Sequence, residues 1–100
     1  ETNAIKKLFG EHAADIAVNS TKGSTGHMMG AGGITEAITC IQTIRTGMVP
    51  PTLHLDQIDP ACEGLNLVPN VAQKEDVKVA MSNSFGFGGQ NSSVLFREYK

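Results

Sequence analysis

Ser20-Thr21-Lys22-Gly23-Ser24-Thr25-Gly26-His27 sets a lysine and a histidine in one short run of small and hydroxyl-bearing residues. A neutral imidazole enclosed in such a turn can donate a hydrogen bond to an oxygen that is gaining negative charge, and a nearby ammonium can hold the ring electrostatically. The same residue types suit a hydrogen-bonded core histidine beside a solvated turn lysine, so spacing alone leaves both readings open. A second cluster, Asn83-Ser84-Phe85-Gly86-Phe87-Gly88-Gly89-Gln90-Asn91, places two aromatic rings among three glycines. Glycine opens such a turn to φ > 0 and to close approach. A ring carried on it could swing as a gate over an apolar substrate, and a tight hairpin with two packed phenylalanines fits equally well. Neither glycine cluster completes GxGxxG or GxxxxGK[ST], which argues against a phosphate cradle. His12 and His54, taken with His27, lack the close spacing of a zinc site and read as surface or packing residues.

The elements that must position these clusters can be read from periodicity. Residues 2–9 predict a short amphipathic helix stopped by Gly10, with Ile5, Leu8 and Phe9 at helical spacing. Because that pattern starts at once and Glu1 is not a methionine, the chain reads as a segment of a longer protein. Asp15–Asn19 predicts a short strand leading into the Lys22 turn. From Ile34 to Thr46, apolar residues at 34, 37, 38, 41 and 44 predict a helix with Gly47 as its C-cap and Pro50-Pro51 beyond. Between Gly23 and Leu55 the charges are Glu36 and Arg45, so this helix is expected to be excluded from solvent on most sides. Glu36 there needs a partner, since a lone charge in an apolar setting is costly. Residues 49–70 hold all four prolines and predict a long irregular connection. Val77, Val79 and Met81, then Val94 and Phe96, predict two strands flanking the glycine-rich turn. So few elements cannot cover the apolar helix, and further layers are expected from absent chain or a partner.

Composition narrows the function classes. One hundred residues with 40% hydrophobic content describe a globular segment, and a net charge of −2 offers no basic surface for nucleic acid. No run of about 18 apolar residues predicts a membrane span, and no secretory signal is visible. Asn19-Ser20-Thr21 and Asn91-Ser92-Ser93 are therefore chance matches to the glycosylation pattern. Two cysteines, Cys40 and Cys62, make no disulfide framework, and a reducing cytoplasm fits.

Taken together, Thr21-Lys22-Gly23-Ser24-Thr25-Gly26-His27-Met28-Met29-Gly30-Ala31-Gly32-Gly33 and Met81-Ser82-Asn83-Ser84-Phe85-Gly86-Phe87-Gly88-Gly89 resemble the β-ketoacyl-[acyl-carrier-protein] synthases, chiefly the synthase II type. Glu1–Lys6 and Gly47–Thr52 carry the same likeness, so the resemblance spans residues 1–100 as a carboxy-terminal portion. It implies the thiolase-like α/β/α/β/α fold and an acyltransferase making the decarboxylative Claisen condensation of fatty-acid elongation. By resemblance His27 stabilises charge on the malonyl thioester oxygen and Lys22 fixes its surroundings. Phe87 gates the acyl pocket and lends an oxyanion-hole N–H, while Phe85 packs. Glu36, Ser82 and Asn83 match positions around a structural monovalent cation, with a lysine or arginine from elsewhere as the plainer partner for Glu36; no other cofactor is implied. Neither Cys40 nor Cys62 matches the nucleophile's motif, so that cysteine and a second histidine are expected upstream of Glu1. Acyl carrier protein in acyl and malonyl forms, and a second copy in a homodimer, are the implied partners. Gly23 replaces a common serine and Gln90 a common threonine. A polyketide ketosynthase domain and a non-catalytic chain-length-factor subunit are the alternatives.

Overall fold

A computed structural model describes residues 1–99. Its elements, in order, are α1 (Thr2–Phe9), a 3-10 turn (Gly10–Asp15), the single helical turn α2 (Lys22–Thr25), a 3-10 turn (Met29–Ala31) and α3 (Gly32–Thr46). Strand β1 (Met48–Val49), a 3-10 turn (Pro60–Cys62), β2 (Gln73–Lys74), β3 (Val79–Phe85) and β4 (Asn91–Arg97) follow. The chain divides into two compact units: Glu1–Ser24 with Pro50–Gln73, and Thr25–Val49 with the chain from Lys74 onward.

In the first unit α1 forms as its periodicity predicts and stops at Gly10, whose N–H bonds Lys6 O. Ile5 and Phe9, one turn apart, are half-buried, whereas Leu8 is 74% exposed. Lys6 Nζ reaches Ala61 O at 2.8 Å, and Thr2 Oγ1 lies 3.3 Å from Cys62 Sγ, which ties α1 to the Pro60–Cys62 turn. The expected strand over 15–19 is reduced to one parallel bridge, Ala17 with Asn66, extended by Val18 N–H to Asn66 O at 2.8 Å. A strand persists only where a neighbour continues the ladder, and here the neighbour is an irregular loop. That loop, irregular as expected, is held by polar side chains: Thr52, Asn66 and Asn70 all bond main-chain groups across it. Val68 in the loop and Ala13 in the Gly10–Asp15 turn are the buried apolar residues of this unit.

In the second unit β3 and β4 make an antiparallel hairpin in the register Ala80↔Phe96, Ser82↔Val94, Phe85↔Asn91. Alternation along β3 sends Ala80 and Ser82 to the half-buried side that meets α3, while Val79 and Met81 are 53% and 44% exposed. Among the described residues α3 is not excluded from solvent on most sides: Ile34, Ile38 and Ile41 are 62%, 53% and 41% exposed, the apolar face for which further covering layers are expected, and Thr43 is its buried residue. Gly47, in the left-handed region at φ 72°, caps the helix through its N–H to Thr43 O at 2.9 Å.

Candidate functional site

His27 lies between α2 and the 3-10 turn that opens α3. Its Nδ1 accepts the main-chain N–H of Met29 at 3.0 Å. A neutral imidazole has one donor and one acceptor nitrogen, so this bond assigns the proton to Nε2 and leaves Nε2–H to donate to a ligand. Met29 makes the bond from a left-handed backbone, φ 48°, a conformation that side-chain-bearing residues adopt at a cost. Among the described residues His27 is exposed.

Glu36 and Ser82 come together: Ser82 Oγ donates to Glu36 Oε2 at 3.3 Å from β3 to α3. Asn83, next along β3, points the other way. Its Oδ1 accepts from Ser93 Oγ at 2.7 Å, across the pair Asn83↔Ser93. Of the three expected cation ligands, the Glu36 carboxylate and the Ser82 hydroxyl lie together, and the Asn83 side chain bonds Ser93 instead.

Phe87 sits in the β3–β4 turn, closed by Gly86 N–H to Gln90 O at 2.7 Å, with Gly88 and Gly89 at φ 80° and 79°. These values explain the paired glycines, since any other residue there would be strained. Among the described residues the Phe87 ring is 103% exposed. Phe85, expected to pack, is itself 62% exposed.

Lys22 belongs to the first unit, where its N–H meets Ser20 Oγ at 3.4 Å; His27, Glu36, Ser82, Asn83 and Phe87 belong to the second. Cys40 is half-buried on α3, where burial first and the Glu36 charge second push its thiol pKa up, the opposite of an activated nucleophile. A cavity of about 300 Å³ lined by Ile41, Arg45, Phe96 and Tyr99 holds none of the site residues. The described residues contain no cluster of three His, Cys, Asp or Glu able to hold a metal, and no helix long and apolar enough to cross a membrane. Sequence reasoning missed Met29, because a main-chain N–H leaves no mark on residue type.

Residues 1–56 match the family described as beta-ketoacyl synthase, C-terminal domain. The 3-oxoacyl-[acyl-carrier-protein] synthase 2 of Synechocystis is 47% identical over 100 residues, covering all of this chain and 24% of that protein. The nodulation protein E of Rhizobium meliloti is 43% identical over 98 residues, again 24% of its length. Among solved structures, a ketosynthase of a type II PKS in complex with its acyl-carrier protein superposes with a TM-score of 0.92 at 34% identity, over 99% of this chain and 24% of that one. A beta-ketoacyl synthase from Burkholderia phymatum gives 0.88 at 37% identity, over all of this chain and 24% of that one. The chain spans about a quarter of the length of these relatives and has the α/β fold of ketosynthases. With a family match over more than half its residues and 47% identity along its whole length, this chain belongs to the β-ketoacyl synthase family.

Proposed function

We propose that the chain is the carboxy-terminal portion of a 3-oxoacyl-[acyl-carrier-protein] synthase of type II, an acyltransferase of fatty-acid elongation. The observation that carries this reading is the His27 ring, whose Nε2–H is set as a donor by the Met29 bond before any charge develops. In the reaction the malonyl thioester loses carbon dioxide, and the electron pair of the broken C–C bond passes to the thioester oxygen as an enolate. His27 Nε2–H stabilises that oxygen, and Lys22 supplies positive potential around it. The enolate carbon then attacks the acyl carbonyl held on a cysteine, and collapse of the tetrahedral adduct expels the cysteine thiolate and releases the 3-oxoacyl thioester. The cysteine and the second histidine lie outside these residues. The Phe87 N–H serves the acyl oxyanion and its exposed ring the gate.

A monovalent cation held by Glu36 and Ser82 would balance the carboxylate charge between α3 and β3. Acyl carrier protein as partner is supported by the related ketosynthase solved with its carrier protein. Homodimerisation and a cytoplasmic setting belong to the same reading and rest on the family likeness. The type II PKS ketosynthase structure favours a second reading, condensation on a polyketide chain, but its 34% identity stands against 47% for the fatty-acid synthase. Acceptance of saturated acyl chains over poly-β-keto chains as donors separates the two.

The test is His27→Ala in the full-length synthase. Decarboxylation and condensation should fall by about 10²–10³ while acyl transfer to the cysteine continues, since that step uses a different oxyanion site. Condensation at the parental rate would overturn the assignment.

A further inference from the structure

We propose that Thr52 is the positioning residue for Lys22, through a docked run of main chain that seats residues 19–23 along residues 50–53. The inference rests on the reading of Lys22 given above. Thr52 Oγ1 donates its single proton to Leu67 O at 2.7 Å, which leaves its lone pairs for a donor. Ser20 N–H fills that role at 3.3 Å. Ser20 in turn presents its Oγ to Lys22 N–H at 3.4 Å. On either side of this relay, Asn19 Nδ2 bonds Pro50 O at 2.7 Å, and Gly23 lies directly against Leu53.

A Cβ at position 23 would come within 3.2 Å of both the Cβ and the carbonyl oxygen of Leu53. Leu53 would have to give by a few tenths of an ångström to admit a side chain at position 23. Glycine is the residue that lets the Lys22 turn sit this close.

The other end of the relay is fixed. Thr52 N–H bonds Val68 O at 2.7 Å, Asn70 N–H bonds Thr52 O at 2.9 Å, and Thr52 bridges Pro69. Val68 is fully buried yet left-handed at φ 49°, a costly state for a β-branched residue that persists only where the surroundings over-determine it. Asn66 supplies part of that constraint, accepting Val68 N–H on Oδ1 at 3.1 Å while its amide pairs reciprocally with Gln73. The Lys22 turn thus takes its position from the loop at residues 50–53, with the Thr52 hydroxyl at the centre of the docked run.

The experiment compares Thr52→Val, Thr52→Ser, Lys22→Ala and the Thr52→Val/Lys22→Ala pair in the full-length synthase. Malonyl-thioester decarboxylation and acyl transfer are measured separately, with melting temperature alongside. Thr52→Val should lower kcat for decarboxylation by about 10-fold to 100-fold, the scale of an ångström-sized misplacement, with KM and acyl transfer within about 2-fold. Thr52→Ser should restore the rate. On the Lys22→Ala background, Thr52→Val should cost less than about 2-fold more, because both act through one ammonium. Equal losses in both half-reactions, full additivity, or no rescue by serine would overturn the proposal and leave Thr52 a fold residue. If Thr52→Val does not fold, Gly23→Ala carries the test: it should slow decarboxylation selectively, and an unchanged rate would overturn the proposal. A parental decarboxylation rate in Lys22→Ala would instead overturn the role given to Lys22.

Discussion

Met29 gives its main-chain N–H to Nδ1 of His27 across 3.0 Å, and does so from a left-handed backbone at φ 48°. The conformation costs about 1–2 kcal/mol for a residue with a side chain, and here it aims an N–H back at a ring two residues earlier. The strain thereby sets the tautomer of the proposed catalytic group.

Met29→Gly keeps the N–H and adopts this φ freely, so decarboxylation by the full-length synthase should stay within about 3-fold of parental. Stability should change by less than about 1 kcal/mol, because relief of strain offsets the added freedom of the unfolded chain. Met29→Pro removes the N–H and fixes φ near −65°. Its decarboxylation should fall by about 10-fold or more, and 15N imidazole shifts should show mixed tautomers. A proline variant with parental rate and a single Nε2–H tautomer would refute the link.

Phe87→Ala should change acyl-chain preference more than stability. A ring that swings clear of the acyl pocket loses little stability when truncated, whereas truncating a ring packed in the core of the full-length protein costs about 3–5 kcal/mol. Thermal denaturation and acylation kinetics on the same full-length variant decide between them. A large stability loss with unchanged selectivity would make Phe87 a core residue.

How far the sequence could be read follows from which forces are local. Gly10 and Gly47 stop α1 and α3 where expected, because a cap is a property of a few adjacent residues. The hairpin was legible from Val79, Met81, Val94 and Phe96 around paired glycines. His27, Lys22 and Phe87 stood out by motif. What escaped depends on partners distant in sequence. The Asp15–Asn19 strand lacks a ladder because its neighbour is the loop at Asn66. Ile34, Ile38 and Ile41 of α3 stay largely exposed because the layers expected to cover them lie outside these residues, while Glu36 meets Ser82 on the side turned to β3. Asn83 turns from Glu36 because strand alternation allots the two sides to Ser82 and Asn83 in turn.

Gly47→Ala should destabilise the fold by more than the usual helix-cap loss. An added Cβ would stand 2.8 Å from Glu75 O, on top of about 1–2 kcal/mol for the left-handed φ of 72°. Gly47→Asn distinguishes the two causes, since asparagine tolerates that φ but carries the same Cβ. Denaturant unfolding should find the asparagine variant nearly as damaged as the alanine one. Recovery of most of the stability by asparagine would show that the contact with Glu75 yields.

Cys40 supplies a prediction in pH. Burial, and then the nearby Glu36 carboxylate, disfavour its thiolate, so its pKa in the folded chain lies above the ordinary 9.0. Alkylation follows the thiolate, and with modification followed at Cys40 itself by peptide mapping, in a Cys62→Ser background, Cys40 should react more slowly than a free thiol at pH 8. Glu36→Gln removes the smaller cause and should speed the reaction in part, leaving the burial contribution in place. The linkage has a definite sign. In the range above the ordinary thiol value the folded chain keeps a proton that the unfolded chain has lost, so its contribution to stability is intact below that value and declines as pH rises through it. Cys40→Ala should flatten this alkaline decline. An alkylation rate for Cys40 equal to that of a free thiol, unaffected by Glu36→Gln, would show that neither burial nor the carboxylate governs the group.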